Sequence, residues 1–307
     1  MKTLSIVVPV YYNEDSLPDL FEELLRVESK LLEMGLNLEL IFVDDGSGDD
    51  SFQELKKIKA ARPATRVIKL TRNFGSIHAS KAGIQFVTGD CFTVLAADLQ
   101  DPPELLIEMA EKWLAGSKFV LCERISREDP WTSRMFSSLY YRIIRFFVIA
   151  DYPQGGFDAM LMDKVMLSYI QESSKNLYMP LLAYWLGFEP TIIPYHRRQR
   201  EKGTSRWTFK KKFDAFLDVI LGFSITPIRM VSGVGLIVAC VSFLYGGFIF
   251  VNGLLGRTEV AGFASIVTLI TFLLGLIIVM LGVIGEYLSR IFREIDKRPE
   301  TVIDEIL

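Results

Sequence analysis

Two stretches near the C-terminus decide most of what this chain can become. Met230 to Gly256 and Val260 to Gly285 are runs of 27 and 26 residues without a charged side chain, parted only by Arg257-Thr258-Glu259. A helix crosses the hydrocarbon of a bilayer with ~20 apolar residues, so each run is long enough to span with some tilt. The competing assignment is a pair of buried core helices, which seldom run so long uncharged. The minimal connector makes the pair a tight hairpin with both outer ends on one side. Basic residues gather at those ends: Arg206, Lys210, Lys211, Lys212 and Arg229 before the first run, and Arg290, Arg293, Lys297 and Arg298 after the second. The connector offers only Arg257. This asymmetry predicts that the preceding domain and the tail lie in the cytoplasm.

The expected organisation is a soluble domain over 1–205, an amphipathic juxtamembrane helix over 206–228, and two spans within 229–288, at about 230–256 and 260–286. A tail follows over 289–307. MKTLSIVVPV lacks a long apolar region and a small-residue cleavage site, so it reads as a buried first strand rather than a signal peptide. With 34 basic and 37 acidic residues there is no basic excess to favour nucleic acid. The cysteines Cys91, Cys122 and Cys240 are odd in number and form no CxxC, which argues against a disulfide framework and for a reducing compartment. His78 and His196 are the only histidines, too few for a His-rich metal site.

Within 1–205, short apolar runs alternate with helical periodicity. Strands are expected at Leu4–Val10, Leu38–Val43, Val67–Leu70, Cys91–Ala96 and Phe119–Cys122. Helices are expected at Ser16–Met34, Ser51–Ala60, around His78–Phe86 and at Glu104–Ala115. Leu17, Leu20, Phe21, Leu24, Leu25, Leu31 and Leu32 fall near one face of the first helix. Strict alternation predicts an α/β fold with a mostly parallel sheet covered on both faces. Ligands of such sheets sit beyond the carboxyl ends of the strands. Polar clusters fall there: Asn13/Glu14, Asp44/Asp45, Arg72/Asn73 and Asp98/Gln100/Asp101. Neither GxGxxG after the first strand nor GxxxxGK[ST] occurs, which disfavours dinucleotide and P-loop folds.

Each cluster has two readings. Asp98 and Gln100 follow a strand at i and i+2, a spacing that lets two oxygens reach one hard cation such as Mg²⁺. The same stretch can cap a helix that Pro102 and Pro103 open. Asp44-Asp45-Gly46-Ser47 can be a turn with a capping side chain. Arg72-Asn73-Phe74-Gly75 can cradle a phosphate or cap a helix.

Taken together, VPVYYNE (8–14), VDDGSGD (43–49), LTRNFG (70–75), AADLQDPPE (96–104) and the Arg200-x-x-Gly203-x-Ser205-Arg206 run resemble the family 2 glycosyltransferases with a GT-A fold. More narrowly, the chain is similar to the polyprenyl-phosphate glycosyltransferases, the dolichol-phosphate mannose synthases and the bactoprenol glucosyltransferases, along its whole length. The resemblance implies that Pro9, Tyr11, Glu14, Asp44, Asp45, Arg72, Asn73, Gly75 and Ala97 surround a nucleotide sugar. It implies that Asp98 and Gln100 hold Mg²⁺ or Mn²⁺ against the diphosphate. Ala96-Ala97-Asp98-Leu99-Gln100 lacks the first carboxylate of the mannose-synthase pattern Asp-x-Asp-x-Gln, and VYYNE is one residue longer. Both departures favour the bactoprenol branch.

The implied reaction is inverting transfer of a hexose, glucose from UDP-glucose, to a polyprenyl phosphate such as undecaprenyl phosphate. It would take place at the cytoplasmic face of a bacterial inner or plasma membrane, for modification of cell-envelope glycans. GDP-mannose and aminoarabinose-type transfer are the alternatives within this class. A phosphate monoester is mostly ionised at neutral pH, so a general base is optional. Arg124, Arg134, Arg200, Ser205 and Arg206 are candidates to hold the lipid phosphate, because guanidinium forks match phosphate geometry. Asp98, Arg124 and Asp158 are the candidate catalytic residues; Asp158 lies in Gly155-Gly156-Phe157-Asp158 and is either a sugar ligand or a base.

Residues 131–149 and 206–220 carry basic and aromatic faces that suit a bilayer interface. Gly233/Gly235 and Gly282/Gly285 permit close helix packing, within the hairpin or in a homo-oligomer. A processive polysaccharide synthase would carry Q-x-x-R-W, and Gly203 stands where that glutamine would be. A nucleotide-sugar-binding scaffold without turnover is the non-enzymatic alternative.

Overall fold

A computed structural model describes residues 1–126, 140–153, 156–174, 178–196, 216–217, 219–255 and 263–307. These fall into two compact units, one of residues 1–219 with 298–307 and one of residues 220–297.

The first unit is built on one eight-stranded sheet. Its elements are β1 (Lys2–Val10), α1 (Leu17–Glu33), β2 (Leu36–Asp44), α2 (Ser51–Ala61), β3 (Arg66–Leu70), α3 (Ser76–Ile84), β4 (Cys91–Val94), α4 (Leu105–Leu114) and β5 (Phe119–Ser126). Helical residues 140–147 (α5) follow, then β6 (Phe157–Asp163), α6 (Leu167–Gln171), α7 (Met179–Trp185) and β7 (Pro190–His196). β8 (Ile303–Ile306) closes the order β7-β5-β6-β4-β1-β2-β3-β8. β4, β1, β2 and β3 are parallel, as alternation requires. β6 lies antiparallel between β4 and β5, and β8 antiparallel on the edge of β3.

The sheet is mostly parallel, as the sequence predicted: six of its eight strands share one direction, and only β6 and β8 run against them. The antiparallel strands come from segments whose partners lie far away in sequence, so periodicity gave no sign of their direction.

β1 is buried on both faces, which accounts for its nearly unbroken apolar run. Leu4, Ile6, Val8 and Val10 join Leu40 and Phe42 beneath α1, α2 and α4. On α1 the buried stripe is Leu17, Leu20, Leu24, Val27 and Leu31. Leu25 and Leu32, expected near that face, are exposed, because 3.6 residues per turn carries them off the stripe.

Strand order places the site. The chain leaves β1 toward β2 on one side, while β4 joins β1 on the other. That is a topological switch point, where the loops after the strands splay and leave a crevice. The β1–β4 pairing ends at Val7–Val94, whereas β1 runs on beside β2 to Val10–Asp44. Pro9, which has no N–H to donate, lies past the last β4 partner.

The second unit contains α8 (Thr226–Leu254) and α9 (Phe263–Ile295). Thr226–Phe248 and Phe272–Phe292 are long and apolar enough to cross a membrane, and neither stretch is buried in protein. At 1.5 Å per residue the 33-residue α9 is about 50 Å long, more than the ~30 Å of bilayer hydrocarbon.

Candidate active site

Four loops meet at the carboxyl ends of β1 to β4, and hydrogen bonds between them set their shape. Asp45 N donates to Val10 O at 2.8 Å, so the β2 end stays level with the β1 end. Tyr12 takes a left-handed φ of 57°, and its N–H donates to Ser47 Oγ at 3.1 Å. Asn13 N donates to Ser51 Oγ at 2.8 Å, while Ser16 Oγ donates to Ala97 O at 2.8 Å. The loop after β1 is thus tied to the loop after β2 on one side and to the loop after β4 on the other. Gly46, with φ 66°, brings its turn against the backbone of Arg72, where an added Cβ would lie 2.5 Å from the Arg72 carbonyl carbon. Only glycine meets both demands.

The resemblance gives Asp44 and Asp45 one shared role, and the geometry separates them. Asp44 is fully buried. Its Oδ1 accepts from Ser47 N at 3.2 Å, while Oδ2 has no hydrogen-bond partner. Buried polar atoms are nearly always satisfied, so this oxygen stands out as lacking a donor. Burial, the largest influence, raises its carboxyl above the ordinary 3.8; the Ser47 hydrogen bonds oppose it. Asp45 accepts from Phe74 N at 2.7 Å and Gly75 N at 2.9 Å, and so ties β2 to the N-terminal end of α3. Burial raises its carboxyl too, and these backbone donors oppose it. Asp45 holds the Arg72–Gly75 loop in place.

Glu14 likewise anchors a loop: its Oε2 accepts from Asp50 N at 2.7 Å, just before α2. Arg72 lies exposed, its guanidinium 4.1 Å from the Phe74 ring centroid. Gly75 has φ 102° at the start of α3. Tyr11 packs edge-on against Tyr12 at 4.7 Å between centroids.

After β4, Gln100 N donates to Asp98 Oδ1 at 3.3 Å, across Leu99 with φ 57°. This Asx turn puts an Asp carboxylate and a Gln amide on one short loop. Among the described residues no group of three or more His, Cys, Asp or Glu gathers at one point. Asp98 and Gln100 are nonetheless hard oxygen donors. They fit Mg²⁺ or Mn²⁺, ions that take one or two protein oxygens and complete their shell with phosphate and water. Asp101, next along, accepts from Tyr195 Oη at 2.6 Å. Arg124 also hydrogen-bonds Tyr195, across the β5–β7 pair. Sequence reasoning missed Tyr195, since no local pattern links β7 to the loop after β4.

The structure thus brings together Pro9, Tyr11, Glu14, Asp44, Asp45, Arg72, Asn73, Gly75, Ala97, Asp98 and Gln100 at one end of the parallel strands. Arg124 is linked to the Asp98 loop through Tyr195 and Asp101. Asp158 is on β6, one residue past the Glu123–Phe157 pair, and its side chain lies outside the described set. So do Arg134, Arg200, Ser205 and Arg206, and with them most of the two expected interface helices.

The profile of glycosyl transferase family 2 matches residues 5–171. The chain belongs to glycosyltransferase family 2. This family 2 glycosyltransferase is 33% identical over 305 residues to an uncharacterised glycosyltransferase of Synechocystis, covering 99% of this chain and 95% of that one. It is 31% identical over 302 residues to the bactoprenol glucosyl transferase of Shigella phage SfII, covering 98% and 97%. It is 30% identical over 305 residues to a prophage bactoprenol glucosyl transferase homolog of Escherichia coli K12, covering 99% of each. The likeness takes in the apolar helices as well as the sheet domain.

Proposed function

We propose that this family 2 glycosyltransferase moves glucose from UDP-glucose to a polyprenyl phosphate at the cytoplasmic membrane face. One observation carries this reading: a single chain joins the strand-end crevice to two apolar helices, and relatives named bactoprenol glucosyl transferase match it over both. A lipid acceptor explains why a transferase domain and a pair of apolar helices belong to one chain.

The residues supply the rest. Asp44 Oδ2 accepts a hydrogen bond from the nucleotide, which the orphaned oxygen requires. The Arg72–Gly75 loop and the Tyr11–Glu14 loop form the walls of the nucleotide crevice. Asp98 and Gln100 hold the divalent cation, which supplies charge neutralisation to the departing diphosphate. An ionised phosphate oxygen of the lipid attacks the anomeric carbon, a new C–O bond forms, and the bond to the diphosphate breaks on the opposite face with inversion. No proton has to be removed from that nucleophile. Arg124 and the basic residues at 200–206 orient it.

Purified full-length protein in detergent, a short polyprenyl phosphate, Mn²⁺ and a panel of labelled nucleotide sugars test the reading. Organic-extractable label with UDP-glucose is the expected result. Label with GDP-mannose alone would move the assignment to the mannose-synthase branch, and no lipid label with any donor would end it. Asp98→Ala is expected to lose lipid labelling by a hundredfold or more, the scale of removing a group that stabilises developing charge.

A further inference from the structure

The last ten residues return to the catalytic unit and close on the donor loop from both ends. β8 pairs antiparallel with β3, with Ile68 opposite Ile306 and Leu70 opposite Ile303. The pairing reaches one residue further, where Thr71 N donates to Val302 O at 3.0 Å, immediately before Arg72. Beyond the loop, Glu300 Oε1 lies 2.9 Å from His78 Nδ1, and Glu300 Oε2 lies 3.4 Å from Lys81 Nζ. Residues 72–75 are thus bracketed by Val302 on one flank and Glu300 on the other.

Lys81 is the centre of this bracket. It is only 4% exposed, and its ammonium also donates to Ser173 O and Ser174 O, each at 3.0 Å. A buried ammonium needs its three donors filled and a counter-charge nearby. The carbonyls supply hydrogen bonds, and Glu300 supplies the charge. His78, in the first turn of α3, meets that carboxylate directly. Asp45 in turn holds Phe74 N and Gly75 N. The start of α3 is therefore fixed by one carboxylate from β2 and one from the C-terminal segment.

We propose that Glu300, with β8, is a positioning element of the donor site: it fixes the Arg72–Gly75 loop in the form that accepts the nucleotide. This rests on the reading that the loop lines the nucleotide crevice. The contacts of Glu300 and β8 are with α3 and β3 on the flanks of the loop, so the expected effect is on donor affinity through the loop. The acceptor side has no stake in it.

Two measurements on the full-length protein test this. The first compares wild type with Glu300→Gln and Ile303→Pro by calorimetric titration with UDP and Mn²⁺, and by KM for donor and acceptor separately. The expected result is a rise of about tenfold in UDP Kd and in donor KM, within the range of site-to-site coupling, with acceptor KM unchanged. Wild-type UDP affinity in folded variants, or an equal rise in both KM values, overturns the proposal.

The second needs no variant. Coupling is reciprocal, so UDP with Mn²⁺ bound to wild type must slow amide exchange in residues 298–307 as well as in residues 72–75. Slowing at 72–75 with no change at 298–307 overturns the brace alone. Absence of any UDP binding by wild type instead overturns the donor-site reading beneath it.

Discussion

Asp44 places an unmatched carboxylate oxygen in the interior of the sheet domain. It is buried with one satisfied oxygen and one bare one, and burial lifts its carboxyl above the ordinary 3.8. A carboxyl whose folded pKa is raised gives stability that is complete below the unfolded value and is lost as pH climbs through the folded value. Ionisation of Asp44 therefore costs the fold stability as pH rises. Asp44→Asn keeps an oxygen for Ser47 N and removes the charge. It should raise the melting temperature at pH 7.5, with a smaller gain at pH 4, while UDP affinity falls about tenfold or more, the size of one hydrogen bond to a charged group. Parallel melts at the two pH values and a UDP titration check this; an unchanged UDP affinity would remove Asp44 from the site. Tyr195→Phe acts at a distance. It deletes the 2.6 Å hydrogen bond to Asp101, loosening the loop that carries Asp98 and Gln100. Mn²⁺ affinity in the presence of UDP, read by the paramagnetic signal of free ion, should weaken about tenfold, the low end of the ~1.5–3 kcal/mol that loss of one charged hydrogen bond costs.

At the scale of elements, α3 depends on the absence of a side chain. A Cβ on Gly83 would lie 2.4 Å from Val7 Cγ1 and 2.8 Å from Val43 Cγ2, so the helix presses directly on β1 and β2. Gly83→Ala should destabilise by ~1–3 kcal/mol through overpacking, measurable as a fall in denaturant midpoint. A neutral result would mean that α3 can lift from the sheet, and the loop before it with it. α3 also marks the limit of what the sequence discloses. β1 to β4 and the four helices around them were legible because their patterns are local: short, nearly unbroken apolar runs in the strands and burial at every third to fourth residue in the helices. The polar strand ends were legible for the same reason, as breaks in that repeat. The ties that shape the site were not. Asp45 to Phe74 and Gly75, Glu14 to Asp50, and Tyr195 to Asp101 join residues 29 to 94 positions apart, and Asp, Glu and Tyr carry no sign of the backbone or carboxylate they will meet. β8 lies in the expected tail because its four residues, IDEI, all exposed, show neither a buried face nor a turn signal.

The whole molecule sets a topological condition. Glycosyl transfer at one membrane face requires the sheet unit and residues 298–307 to share a side, since both belong to one compact body. On the proposed reading, two crossings meet that requirement and one does not, and the pairing of β8 with β3 fits a hairpin. If both helices cross, as the proposed function has it, Thr258 faces the opposite compartment. The native cysteines leave this testable with little background. Cys91 and Cys122 are buried, and burial pushes the Cys122 thiol up to about 12, so neither offers reactive thiolate. Cys240 lies within the first apolar helix, and Cys240→Ser removes it. In that background, Thr258→Cys should react with a membrane-impermeant maleimide on intact spheroplasts, whereas Ser29→Cys, on the exposed face of α1, should react only after lysis. Labelling of Ser29→Cys from outside would invert the topology, and protection of both would deny that the helices cross.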